Sequence, residues 1–145
     1  MSTRFIRSVL ALAFALGCTA IATAQMPPGD PKFGNKLGMQ TLNNSGEDGE
    51  VTLFGKDGGR RTLVVVNIEG APHIRPQPVS IRHASDCDKI SPAQPISLHW
   101  LFNGHSSTLV DIPIMKLLSG NYAVVVGSRL LESTPHYVAC GHLYL

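Results

Sequence analysis

The sequence predicts an all-β domain of seven to eight short antiparallel strands. Three observations predict it. Short β-branched and aromatic runs recur along the chain, as in Arg61–Glu69 and Tyr122–Val126. Turn signals separate them at Lys56–Gly59, Gly70–Pro78, Asn103–Gly104 and Gly127–Pro135. No stretch from Met39 onward carries a helix-length apolar period. Many short strands with turns between them bury their apolar faces as a sandwich or barrel.

Each element has its own reason. Glu50–Phe54 reads as a strand, and Asp57-Gly58-Gly59 as a hairpin turn because those residues accept positive φ. Arg61–Glu69 follows, carried by Val64, Val65 and Val66. The prolines of Gly70–Pro78 make a loop, and Val79–His83 is the next strand. Ser85–Pro95 is a second loop, carrying Cys87. In Ile96–Phe102 the alternation puts Ile96, Leu98, Trp100 and Phe102 on one face and His99 on the solvent side. Thr108–Ile112 is a strand. Ile114–Leu118 is a single helical turn ended by Gly120. Tyr122–Val126 reads as a buried strand, and His136–Leu145 closes the chain.

The first residues belong to a different process. Arg4 and Arg7 precede an apolar run, and Ala22-Thr23-Ala24 places small residues before a cut between Ala24 and Gln25. That is the pattern of a secretory signal peptide, residues 1–24. A second reading is lipoprotein anchoring at Cys18. A flexible linker rich in Pro and Gly, residues 25–38, leads into a domain of residues 39–145. Loss of Arg4 and Arg7 reduces 12 basic residues to 10, against 10 acidic ones. The remaining chain is formally neutral, so no electrostatic case for nucleic acid survives. No stable membrane span remains once the signal is removed.

Two cysteines remain after cleavage, Cys87 and Cys140, with no C-x-x-C pair. In an exported chain an even pair reads as a disulfide. The predicted location is therefore periplasmic or secreted.

Four segments carry more specific information. They are Leu42–Gly70, Gln77–Cys87 (QPVSIRHASDC), Leu117–Gly127 (LLSGNYAVVVG) and Tyr137–Gly141 (YVACG). Together they resemble the copper–zinc superoxide dismutase superfamily, and most closely its bacterial secreted relatives. The resemblance implies a Greek-key β-sandwich or flattened barrel, with Cys87 bonded to Cys140. It also implies a copper site built on a His-x-His ahead of the first cysteine. Residues i and i+2 of a strand point the same way, so two imidazoles can meet one ion. Carried over, those positions are Ser80 and Arg82. The third copper position, after Ala-Val-Val-Val, is Gly127. A spacing shorter by one residue would give Ile81 and His83 instead. The zinc-bearing loop corresponds to Asp88–Pro95, which has no histidine. The position of the family's catalytic arginine is Tyr137.

Neither copper nor zinc is therefore expected as a cofactor, and no catalytic or metal-ligating residue is assigned. Arg82 has two readings: an outward-facing arginine on an edge strand, or a fixed positive charge near the copper position that forms a small-anion site. His73, His99, His105, His136 and His142 are too scattered to share an ion by strand or helix spacing.

The predicted function is that of an exported, non-catalytic superoxide dismutase-like domain, a pseudoenzyme acting as a binding, interaction or envelope protein. Its partner is an unknown protein or a small anion, and a homodimer stays open. The alternative is a metal-binding or metal-delivery protein using the remaining histidines. An active dismutase ranks third, because that reaction needs a metal that changes oxidation state.

Overall fold

The computed structural model describes residues 34–128 and 136–144. The signal segment, Cys18, the Ala24–Gln25 cut and the linker up to residue 33 lie outside the described residues, as does the loop 129–135. Among the described residues eight strands form one antiparallel sheet: β1 Asn35–Thr41, β2 Asp48–Lys56, β3 Arg61–Glu69, β4 Val79–His83, β5 Ile96–Ser97, β6 His105–Val110, β7 Tyr122–Gly127 and β8 Tyr137–Leu143. One short helix, α1 Ile114–Ser119, precedes β7. The spatial order is β5-β4-β7-β8-β1-β2-β3-β6, and the sheet curls into a half-barrel.

The all-β class follows from alternation along each strand. In β3, Thr62, Val64, Val66 and Ile68 are buried while Asn67 and Glu69 are exposed. In β4, Val79 and Ile81 are buried while Ser80 and Arg82 are not. The inward residues of all the long strands, with Ile114 and Leu117 of α1, form one continuous core. Each such aliphatic side chain contributes on the order of 1.5–3 kcal/mol when fully buried. The β2–β3 turn is the Asp-Gly-Gly hairpin, with φ of 52°, 69° and 84° at Asp57, Gly58 and Gly59. Gly tolerates that left-handed backbone at little cost, which fixes the register of the longest pairing in the sheet.

Four features differ from the sequence reading. Strand β1 begins at Asn35, so Asn35–Gly38, placed in the linker, pair with β2 instead. Its mix of Asn, Lys, Gly and Gln has no strand signature, and pairing with β2 at its start and β8 at its end imposes the extended form. Strand β6 starts at His105, three residues before the predicted start, so His105 is a strand residue rather than a turn residue. Strand β4, which carries Arg82, is not an edge strand, because β5 pairs with its Ser80 and Ile81 and β7 runs along its other side.

The largest departure is in Ile96–Phe102. Only Ile96 and Ser97 form a regular strand. Leu98 and Leu101 are buried, whereas Trp100 is 46% exposed and Phe102 57% exposed. The alternation fails because this segment is shared between the two edges of the sheet. Leu98 N–H donates to Val79 O at 3.0 Å, and Leu101 exchanges backbone bonds with Gln77. Across the gap, Thr108 Oγ1 accepts from His99 N–H at 2.7 Å and Ser106 Oγ donates to His99 O at 2.6 Å. Side-chain hydroxyls of β6 thus replace the ladder that a backbone partner would supply.

Candidate functional site

The outer face of β4, β7 and β8 carries the predicted site positions. Pleating sends Ser80 and Arg82 outward from β4, beside Ala123 and Val125 of β7. Tyr137, Cys140 and His142 project from the same side of β8. Ala84, Ala123, Val125 and Cys140 make a second small apolar cluster, against which Leu42, Cys87, Ile90 and Tyr137 pack. The loop after β4 lies over this cluster.

A disulfide holds the loop there. Cys87 and Cys140 are bonded, with their Cα atoms 5.9 Å apart and 53 positions between them in sequence. The bond joins the loop to the outer side of β8, as the cysteine count and the resemblance both implied. Short backbone links complete the attachment: Ser91 N–H donates to His83 O at 2.8 Å and Ala84 N–H to Asn121 O at 2.9 Å. A disulfide is compatible with an oxidising, extracytoplasmic location.

The same pleat separates the two residue pairs that the sequence left open. Ile81 is 1% exposed and belongs to the inner core. It cannot share an outward site with anything. His83 stacks on Tyr122, with ring centroids 4.4 Å apart. Ser80 and Arg82 are therefore the outward i, i+2 pair. Gly127, the last residue of β7, lies diagonally from Ser80, because Val125 pairs with Ser80 and Val126 with Val79. Its N–H donates to Pro78 O at 2.9 Å. A Cβ on Gly127 would meet Pro78 Cγ at 3.0 Å.

Copper does not fit this set. A hydroxyl, a permanently charged guanidinium and a glycine offer no imidazole, and Arg82 would repel a cation. Among the described residues no three of His, Cys, Asp and Glu come together as a metal site. Three of the six histidines hydrogen-bond to oxygens at separate places in the fold. His99 Nδ1 is 2.8 Å from Ser107 O, His105 Nδ1 is 2.8 Å from Asn67 Oδ1, and His142 Nε2 is 3.1 Å from Ala84 O.

Arg82 has a built environment. Its guanidinium lies over the Tyr137 ring, 5.6 Å from the centroid. Nη1 reaches Ser91 O at 3.4 Å and Ala93 O at 3.3 Å, both long for hydrogen bonds. Nε is buried and has no hydrogen-bond partner. Among the described residues no carboxylate lies within ion-pairing distance of it. The guanidinium opens on a cleft of about 450 Å³ lined by Ile90, Ser91, Pro92, Pro95 and Tyr137.

Tyr137 is placed by the β1–β2 turn. Asn43 Nδ2 donates to Tyr137 O at 2.9 Å, and Ser45 Oγ donates to Val138 O at 2.6 Å. Asn43 and Asn44 have φ of 52° and 53°, the left-handed turn that asparagine tolerates best among residues with a side chain. A second groove, about 470 Å³, lies on the other side of the disulfide and includes Asp86, His142 and Tyr144.

Sequence reasoning singled out Ser80, Arg82, Gly127 and the two cysteines, and the fold places all five on one face. It assigned no role to Tyr137 beyond a substituted position, and it missed Ser91 and the proline walls. No local pattern signals them, because they converge only when the disulfide brings the loop onto β8. No family model, no curated protein and no solved structure matches this chain. What stands is an all-β half-barrel with one disulfide. Among the described residues no helix is long and apolar enough to cross a membrane.

Proposed function

We propose that this chain is an exported, superoxide dismutase-like domain of Greek-key type that has lost metal catalysis and serves as a binding module. The observation that carries the reading is the contact between Arg82 and Tyr137. The resemblance assigns these two residues to a copper-ligand position and to the catalytic-arginine position. Here the two are neighbours: a guanidinium stands where the resemblance puts a copper ligand, and an aromatic ring where it puts the arginine.

Further support comes from the strand order. The β3–β4 and β6–β7 connections cross between distant strands of the sheet, as a Greek key requires. The disulfide joins the loop after β4 to the last strand, where the resemblance puts it. With Ser80, Arg82 and Gly127 at the copper positions, this face offers no imidazole set to hold the metal that dismutation needs. A binding role is what the charge and the cleft beside it can perform.

The test is direct. The mature chain, purified without a histidine tag, is assayed for copper and zinc per chain and for dismutase turnover. Metal-free protein without turnover is expected. Stoichiometric copper with turnover would overturn the reading, and metal without turnover would favour a metal-delivery protein instead.

A further inference from the structure

We infer that the Arg82 cleft binds a small organic carboxylate with an apolar body. The inference deepens the binding role proposed above and rests on it. Three observations carry it together.

The first is an unmatched charge. Arg82 sits between the Tyr137 ring and the loop, its Nε buried without a partner. Its Nη1 makes only two long contacts to carbonyl oxygens. The half-buried guanidinium has no carboxylate beside it among the described residues, and an incoming anion would match its charge. Arg82 lines the cleft, and the planar guanidinium's Nη N–H groups suit a carboxylate's two oxygens.

The second is the wall. Ile90, Pro92, Pro95 and the face of Tyr137 surround the charged end with apolar surface. A bare inorganic anion would leave that surface wet. A carboxylate on an aromatic or aliphatic body covers it.

The third is the size and construction of the cleft. About 450 Å³ falls within the range of ligand pockets, roughly 300–1,000 Å³. One wall is loop and the other is sheet, and the Cys87–Cys140 bond fixes the loop to the sheet. A preformed cleft loses little entropy when it is filled.

The experiment titrates the mature, disulfide-bonded chain with benzoate, hexanoate and sulfate. Binding is followed by calorimetry and by the Arg82 Nε–Hε resonance in NMR. Saturable binding of benzoate and hexanoate, at least about tenfold tighter than sulfate, is expected. Arg82→Gln should abolish it. Arg82→Lys should weaken it about tenfold, by keeping the charge and losing the fork. Circular dichroism and thermal unfolding identify any variant that fails to fold, and the wild-type titration decides the matter regardless of the variants. Absence of saturable binding to wild type overturns the inference, as does sulfate binding as tightly as benzoate. Each of these results overturns the carboxylate inference alone, while the proposed loss of metal catalysis falls only if copper and turnover are found.

Discussion

Gln77 Nε2 donates to both carboxylate oxygens of Glu47, at 3.0 Å to Oε1 and 2.9 Å to Oε2, and both residues are buried. The pair ties the β1–β2 turn to the loop before β4, 30 residues further on. It also leaves Gln77 Oε1 buried without a donor. Burial raises the Glu47 pKa above its ordinary value, and the Gln77 bond only partly opposes this. A protonated Glu47 can donate to Gln77 Oε1 while still accepting from Nε2, which satisfies both side chains. A carboxyl whose folded pKa is raised adds stability that is complete below its unfolded pKa. That stability is lost as pH rises through the folded value. Unfolding midpoints measured from pH 4 to 8 should show this loss, and Glu47→Gln should remove it. At pH 8 the variant should be about 1 kcal/mol more stable than wild type, the worth of one satisfied buried hydrogen bond.

The disulfide predicts a large but specific effect. Closing a loop of this length contributes about 4 kcal/mol in the chain-entropy picture. The double variant Cys87→Ala/Cys140→Ala should lose about that much stability in urea denaturation. The inner core contains neither cysteine, so the variant should keep its strand content by circular dichroism. Proteolysis should find the loop between His83 and Ile96 first.

The seam at His99 yields a third prediction. Thr108→Val keeps the shape of the side chain but removes the oxygen that accepts from His99 N–H. A donor left without a partner there should cost about 1–3 kcal/mol. Hydrogen exchange should quicken at the His99 amide. The Leu98 amide, which is bonded to Val79 O on the other edge, should stay protected.

Two glycines in contact across the β1–β8 interface separate packing from backbone preference. A Cβ on Gly141 would stand 2.7 Å from Met39 Cγ and 3.1 Å from Gly38 O. Gly141→Ala should therefore cost about 1–3 kcal/mol by overpacking. A Cβ on Gly38 meets nothing within 4 Å. Gly38→Ala should be neutral or stabilising by up to about 1 kcal/mol, by restricting the unfolded chain. Thermal melts of the two variants make the comparison.

Much of this fold could be read from local chemistry. Val64–Val66 and Val124–Val126 are strongly β-prone, and Asp57-Gly58-Gly59 dictates its own turn, so β3, β7 and the hairpin stand where they were predicted. Strand β1 was hidden because its neighbours, not its residues, make Asn35–Gly38 extended. Trp100 and Phe102 misled because alternation assumes a single sheet face, and their segment serves two edges. At the candidate site, Ser80 and Arg82 were legible as an outward pair on β4. Their surroundings were not, since Tyr137 lies 55 positions beyond Arg82 and meets it only through the β4–β7–β8 order. The Glu47–Gln77 pair had no sequence signal, because nothing about an isolated Glu or Gln announces burial.

In the proposed reading, Ser80, Arg82 and Gly127 occupy vacated copper-ligand positions on one outward face. Replacing all three with histidine tests it most directly. Two imidazoles at i, i+2 on β4 and one diagonal on β7 would converge from the same side of the sheet. The Pro78 ring must yield slightly to admit the third. Copper binding to the folded Ser80→His/Arg82→His/Gly127→His variant, measured by calorimetry and electron paramagnetic resonance, should reach one ion per chain while wild type binds none. A folded variant that takes up no copper, or a wild-type chain that binds it stoichiometrically, would contradict the account.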